Sequence, residues 1–140
     1  MKLLTYVFSF FSLLSCGQKK NDKKFITWEN FADGFGKEML SAEDVFNNMR
    51  KSGLTDFSYS TLDFTFISNK KDNLINLREY LETHYAYKIK DIQKAGKLWE
   101  LNGETYEIPL TSDILLYWAL DMYKKGYEFD SRLDGYGGVS

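Results

Sequence analysis

The chain of 140 residues carries 18 Lys and Arg side chains against 20 Asp and Glu, a formal net charge of −2. The imbalance is larger after residue 24, because residues 25–140 contain 13 basic and 19 acidic side chains, a net charge of −6. Such a domain lacks the basic surface that binds phosphates, so we expect no nucleic-acid partner.

The first fifteen residues have the pattern of a signal peptide. Lys2 provides a positive start, and residues 3–14 carry no charge. Residues 13–16, Leu-Leu-Ser-Cys, resemble the lipobox of bacterial lipoproteins, which implies cleavage before Cys16 and acylation of its thiol. The alternatives are an uncleaved anchor or a buried helix. A helix needs about 20 apolar residues to span a bilayer, and this run is shorter.

Acylation would place the protein in the cell envelope, with the membrane as a partner through Cys16. We predict a signal peptide at residues 1–15, a polar tether at 16–24 and one domain at 25–140. The resemblance to bacterial lipoproteins implies the outer membrane, because Gly17 is not the acidic residue associated with inner-membrane retention. With Cys16 acylated, no cysteine remains for a disulfide, a nucleophile or zinc.

The N-terminal part of the domain gives an irregular segment and then a helix. Aromatic residues and glycines alternate without a clear period in residues 25–35, so we predict packed irregular structure there. Ser41 is suitable as an N-cap and Gly53 as a helix end, which predicts a helix over residues 42–52.

Two further helices are predicted. Asn69 and Asp72 indicate the start of the second, which carries an apolar stripe and ends near the only histidine, His84. Thr111 or Ser112 would cap the third, which we expect Gly126 to end. The apolar residues that recur at helical spacing are Leu74, Leu77 and Leu81 in the second helix, and Leu115, Trp118, Ala119 and Met122 in the third.

Strands are predicted between the helices. Alternation at period two marks Leu62, Phe64 and Phe66, and a similar alternation follows the second helix at residues 85–89. Residues 97–108 are predicted to form a hairpin with its turn at Asn102-Gly103. Residues 127–129 are expected to form a short final strand.

This order predicts an α+β fold. Two strand-helix-strand units give a ferredoxin-like sandwich, in which two helices cover one face of an antiparallel sheet. The helix over residues 42–52 would be an additional N-terminal element.

The last part of the domain resembles the regulator of ribonuclease activity B (RraB) family. The similar residues are Gly126-Tyr127-Glu128-Phe129-Asp130 followed by Asp134-Gly135-Tyr136-Gly137, with Tyr136 at the position of the family's usual Trp. The resemblance extends over about residues 41–138. It implies a ferredoxin-like fold and a non-catalytic acidic protein that binds and modulates another protein, ribonuclease E in the founding case.

Location conflicts with a literal transfer of that role, because ribonuclease E works in the cytoplasm. We therefore predict a non-catalytic, lipid-anchored binding or regulatory module of the envelope, with an unidentified protein partner. Two alternatives remain. One is an immunity-type lipoprotein that neutralises a toxin, and the other, if the chain is not exported, is an inhibitor of ribonuclease E.

The C-terminal motif supplies the candidate binding residues. Asp130, Asp134, Gly135, Tyr136 and Gly137 could form a partner-binding surface. The commoner role of such residues is structural, with Asp-Gly in a turn, Tyr136 packed on the sheet and the carboxylates capping exposed amides. They could also bind a cation, although the spacing does not match an EF-hand.

Few residues favour catalysis. No phosphate-binding loop or metal-ligand motif occurs, so we expect no cofactor, no metal and no enzymatic activity. A hydrolase that uses Asp130 and Asp134 would need one deep pocket that holds both carboxylates. For His84, placement at a helix end is a simpler role than catalysis. Trp99 and the exposed tyrosines could be interface anchors or core residues.

Overall fold

The computed structural model describes residues 24–138, so Cys16, the predicted signal peptide and most of the tether lie outside the described residues. Within this range the fold is α+β, with three helices and two antiparallel sheets. In chain order the elements are α1 (Trp28–Lys51), β1 (Ser58–Ser60), β2 (Leu62–Ser68), α2 (Lys71–His84), β3 (Lys88–Ala95), β4 (Leu98–Glu104), β5 (Ile108–Leu110), α3 (Ser112–Glu128) and β6 (Arg132–Gly138).

The four-stranded sheet has the order β3-β4-β2-β6, and all neighbouring strands are antiparallel. Its core face carries Leu62, Phe64 and Phe66 of β2, which confirms the predicted alternation. The apolar stripes predicted for the second and third helices are also buried in this core. Strands β1 and β5 form a separate two-stranded sheet.

The opposite face of the four-stranded sheet is mostly polar, although Ile67 of β2 is buried on it. Thr65 donates a hydrogen bond to Asn102 Oδ1 at 2.7 Å across β2 and β4. Lys90 Nζ lies 3.5 Å from Asp63 Oδ1 and 3.8 Å from Glu104 Oε2. The apolar core is therefore on the side of the sheet that faces the helices.

The prediction of an irregular segment at residues 25–35 is wrong. Helix α1 has 24 residues and begins after Thr27, whose hydroxyl accepts a hydrogen bond from the Asn30 N–H at 3.2 Å. Ser41 therefore lies within the helix and does not cap it. The spacing of Phe31, Phe35, Ala42 and Phe46 continues one helical face through both glycines of the segment.

The packing of α1 against α3 requires a glycine at position 34. A Cβ at Gly34 would overlap the hydroxyl of Tyr123 in α3. That hydroxyl instead donates to the Phe31 carbonyl at 2.8 Å, and the Phe31 ring stacks on Tyr123 with centroids 4.9 Å apart. The small residue thus allows α1 and α3 to pack closely, although it lowers the local helix propensity.

The predicted turn at Asn102-Gly103 is also wrong. Both residues lie inside β4, and the turn between β3 and β4 is at Gly96-Lys97, where Gly96 has φ +64°. A Cβ on Gly103 would lie 2.7 Å from Cζ of Phe64. Gly103 is therefore needed to make room for a core ring from the neighbouring strand, and its tertiary contact outweighs the local turn preference.

Two helix boundaries also differ from prediction. Asn69 does not cap α2, because the N-cap residue is Lys70, which makes no side-chain cap hydrogen bond. Gly126 does not end α3, which continues to Glu128, so residues 127–129 are not a strand. Gly126 is buried against Phe66, and its carbonyl accepts hydrogen bonds from Phe129 and Ser131. The final strand is β6.

Candidate functional site

The structure divides the C-terminal candidate residues into two groups. Asp130 lies in the turn between α3 and β6 with φ +48°. Asp134, Gly135, Tyr136 and Gly137 all lie within β6, so the predicted Asp-Gly turn is wrong. Asp130 is therefore separated from Tyr136 by most of an extended strand.

Asp130 has a structural role. Its carboxylate accepts hydrogen bonds from the backbone N–H groups of Phe25 at 3.1 Å and Ile26 at 2.9 Å. Its carbonyl accepts hydrogen bonds from the Ser68 hydroxyl at 2.9 Å and from Asn73 Nδ2 at 3.3 Å. These contacts hold the start of the described chain, the end of β2 and the first turn of α2 together.

Asp134 lies at a β-bulge. Thr65 pairs with Gly135 and Phe66 with Leu133, so Asp134 is the extra residue of β6. Its exposed carboxylate is 3.7 Å from Nη2 of Arg132. Asp130 lines a cavity of about 250 Å³ and Asp134 lines another of about 110 Å³, so the two carboxylates do not share either of these cavities.

Tyr136 connects the strand to the helical layer. Its ring meets Trp118 edge to face with centroids 5.3 Å apart, and it is packed against the hydrophobic core. Its buried hydroxyl faces Glu38 and Ser41 of α1, yet it makes no hydrogen bond of acceptable geometry with any described residue. Burial raises the pKa of the Tyr136 hydroxyl, and the charge of Glu38 raises it further.

Glu38 is half-buried beside this hydroxyl. Burial raises the pKa of its carboxyl group above 4.5, and the interaction with Tyr136 opposes that shift. The carboxyl, the hydroxyl and Ser41 line a cavity of about 110 Å³, which we call the Glu38 cavity. Its walls also include Val45 of α1 and residues 133–135 of β6.

A larger depression follows along the same strand. The α1–β6 groove has a volume of about 450 Å³ and shares Val45 and Tyr136 with the Glu38 cavity. Met49 and Leu54 add apolar surface, and Gly137 and Gly138 form the strand side. The remaining lining residues, Asn48, Ser52 and Ser60, are polar. Such a groove can accept an apolar side chain together with backbone polar groups.

The α1 side of this site was missed in the sequence. Glu38, Val45 and Met49 have helical spacing, but the predicted break before Ser41 separated Glu38 from the other two. A continuous helical pattern from Phe31 onwards was the available signal. Nothing in the sequence indicated that this helix would lie beside a strand about 100 residues later.

The other candidates lie elsewhere. His84 is exposed at the last residue of α2, as predicted, with its ring 4.4 Å from that of Tyr80. Trp99 is half-buried, and the ammonium groups of Lys71 and Lys94 lie 5.1 and 4.9 Å from its ring centroid. The largely exposed tyrosines are Tyr59, Tyr106 and Tyr117.

The described residues contain no group of three His, Cys, Asp or Glu side chains arranged to hold a metal ion. Within residues 24–138, no helix has the length and apolar character needed to cross a bilayer. In comparisons with protein-family models and with curated proteins, the chain matches none.

Proposed function

We propose that this protein is a non-catalytic binding module of the cell envelope, attached to the membrane through acylated Cys16. The observation that carries the proposal is the α1–β6 groove. It combines apolar walls with an edge strand, which are features that recognise a polypeptide segment. The leader pattern at residues 1–16 supports the membrane attachment.

The fold proposed for the module is ferredoxin-like. The sheet order β3-β4-β2-β6 supports it, and so does the succession β2-α2-β3-β4-α3-β6, into which the short strand β5 is inserted before α3. Two strand-helix-strand units are arranged in this way in that fold. In this description α1 is an addition that extends the helical layer beyond β6. The RraB-like residues at the C-terminus agree with the proposed fold and with a role in binding a protein.

Two matched substitutions test the function in the full chain. Asn48 and Asn47 are adjacent and exposed on α1, but only Asn48 lines the groove. Asn48→Trp should fill the groove entrance, and Asn47→Trp should add the same bulk outside it. The tagged protein and both variants are purified from detergent-solubilised membranes of the producing cell, and the copurified proteins are identified by mass spectrometry.

We expect a resident envelope protein to copurify with the wild type and with Asn47→Trp, and to be lost with Asn48→Trp. If only a secreted toxin copurifies, and the protein protects cells from it, the immunity role replaces the regulatory one. Retention of every partner by Asn48→Trp, or turnover of a substrate by the purified protein, would contradict the proposal.

A further inference from the structure

The two edges of the four-stranded sheet differ in how they are protected. Among residues 24–138, β3 and β6 each pair with one strand only. Three exposed lysines, Lys88, Lys90 and Lys94, lie along β3, and the pairing with β4 shifts at Lys90. Lysines and bulges are features by which proteins prevent another strand from pairing with an exposed edge.

The second half of β6 lacks these features. Arg132 and Asp134 place charges and a bulge in the first half of the strand. Beyond Asp134, the residues are Gly135, Tyr136, Gly137 and Gly138. Every second residue of an edge strand directs its N–H and C=O away from its partner. Three of these four residues are glycines, which place no side chain over the edge, and glycine in a strand often marks a site where another backbone approaches closely.

Helix α1 lies beside this unprotected half. The Glu38 cavity is next to residues 133–136, and the α1–β6 groove is next to residues 136–138. The two cavities therefore follow each other along the strand and have Val45 and Tyr136 in common. A strand added to β6 would pass both, with one side chain facing each cavity.

The charge in the Glu38 cavity favours a basic side chain. Among the described residues Glu38 makes no ion pair, although Lys37 and Arg132 line the neighbouring cavity of about 330 Å³ with it. The buried Tyr136 hydroxyl faces Glu38 and Ser41 but forms no hydrogen bond of acceptable geometry with any residue in the range 24–138. An ammonium or guanidinium group would neutralise the carboxylate and donate to the hydroxyl oxygen.

We propose that the partner protein adds an extended segment to residues 135–138 of β6, with an apolar side chain in the α1–β6 groove and a Lys or Arg side chain in the Glu38 cavity. The two side chains would be two residues apart in the partner. This spacing follows from strand geometry, because alternate residues face the same side about 7 Å apart. The inference rests on the proposed function and names the chemistry of its partner.

Four acetylated and amidated heptapeptides provide the probe. Their sequence is Ser-Thr-X-Thr-Z-Thr-Ser, in which X is Lys or Glu and Z is Leu or Ser, and the reversed sequences are included because an added strand can run in either direction. Each peptide is titrated into the isotope-labelled full chain in detergent micelles, and backbone amide shifts and hydrogen exchange are recorded by NMR.

We expect the Lys-Leu peptide to shift the amides of residues 135–138 and to slow the exchange of those that face outwards. Replacing Lys by Glu, or Leu by Ser, should weaken binding about ten-fold each. Glu38→Gln should remove the preference for Lys over Glu, whereas Glu43→Gln, at an exposed position of the same helix, should keep it.

The absence of shifts at residues 135–138 with millimolar Lys-Leu peptide would overturn the inference. Equal affinity for the Lys and Glu peptides in the wild type would also overturn it. The function itself would stand if the copurified partner is still lost with Asn48→Trp, because that result depends on the groove and not on strand addition.

Discussion

The Asp130 carboxylate accepts a hydrogen bond from the backbone N–H of Ile26, 104 positions earlier in the chain, at 2.9 Å. A second oxygen accepts from the neighbouring Phe25 N–H at 3.1 Å. The side chain thus fixes the start of the described chain to the turn before β6. It is one of the residues that the sequence grouped with a binding surface, and its contacts are structural.

We expect Asp130→Ala to lower the free energy of unfolding by about 2 kcal/mol or more. The change removes two charge-assisted hydrogen bonds and places a Cβ-bearing residue without a polar side chain at positive φ. Asp134→Ala is the matched control, because Asp134 is exposed and, within the part of the chain that the structure describes, its salt bridge is the surface pair with Arg132. That variant should stay within about 0.5 kcal/mol of the wild type in urea unfolding. Equal effects of the two substitutions would contradict the assigned roles.

Substitution of Gly103 tests the contact between β4 and the core ring of Phe64. Gly103→Ala should destabilise the protein by about 1–3 kcal/mol, because its Cβ would lie 2.7 Å from Phe64 Cζ. Gly135→Ala, also in a strand of the same sheet, meets no atom within 4 Å and should change stability by about 0.5 kcal/mol or less. Thermal unfolding of the two variants measures the difference. A Gly103→Ala variant as stable as the wild type would contradict the close contact between Gly103 and Phe64.

Thr111 and Ser112 were equivalent caps in the sequence, and the structure distinguishes them. The Thr111 hydroxyl accepts a hydrogen bond from the Ile114 N–H at 3.2 Å, whereas Ser112 is the first residue of α3. Thr111→Ala should therefore cost about 1 kcal/mol of stability, and Ser112→Ala about 0.5 kcal/mol or less. Chemical denaturation of both variants is the measurement, and the reverse order would show that Ser112 is the cap.

Glu38 should make stability depend on pH. Its folded-state pKa is raised, so the folded protein binds more protons than the unfolded chain in the range above pH 4.5. The unfolding free energy is therefore expected to fall as pH rises from about 4.5 through the folded pKa. Tyr136, Ser41 and Tyr123 face this carboxyl, and Lys37 and Arg132 line the next cavity.

Glu38→Gln should remove this part of the pH dependence. The variant and the wild type are compared by urea unfolding at pH 4 and pH 8, and the gain in stability from the substitution should be larger at pH 8. Glu43→Gln, on the exposed surface of α1, should show no such difference between the two pH values. A larger gain in stability for Glu38→Gln at pH 4 would contradict a raised pKa of Glu38 in the folded state.

Hydrophobic periodicity in the sequence predicted the strand and the helix whose formation depends mainly on neighbouring residues. The alternation of Leu62, Phe64 and Phe66 gave β2, and the leucine stripe gave α2. The succession of β2, α2, β3, β4 and α3 after residue 60 was predicted in outline, but the turn between β3 and β4 and the position of the final strand were not.

The errors arose where distant contacts decide the structure. Gly34 interrupts an apolar pattern because Tyr123 packs on it, and Gly103 is small because Phe64 covers it. Of the candidate site, Tyr136 and its neighbouring glycines were identified from the sequence. Glu38 was not, because its proximity to Tyr136 depends on the position of α1 beside the sheet edge.

The proposed attachment to the membrane through Cys16 is central, because it would determine which proteins the groove can meet. Mass spectrometry of the native protein's N-terminus tests it most directly. We expect the native protein to begin at Cys16 and to carry acyl groups on it. A chain that retains Met1 and carries no lipid would contradict the account and would favour an intracellular inhibitor of ribonuclease E.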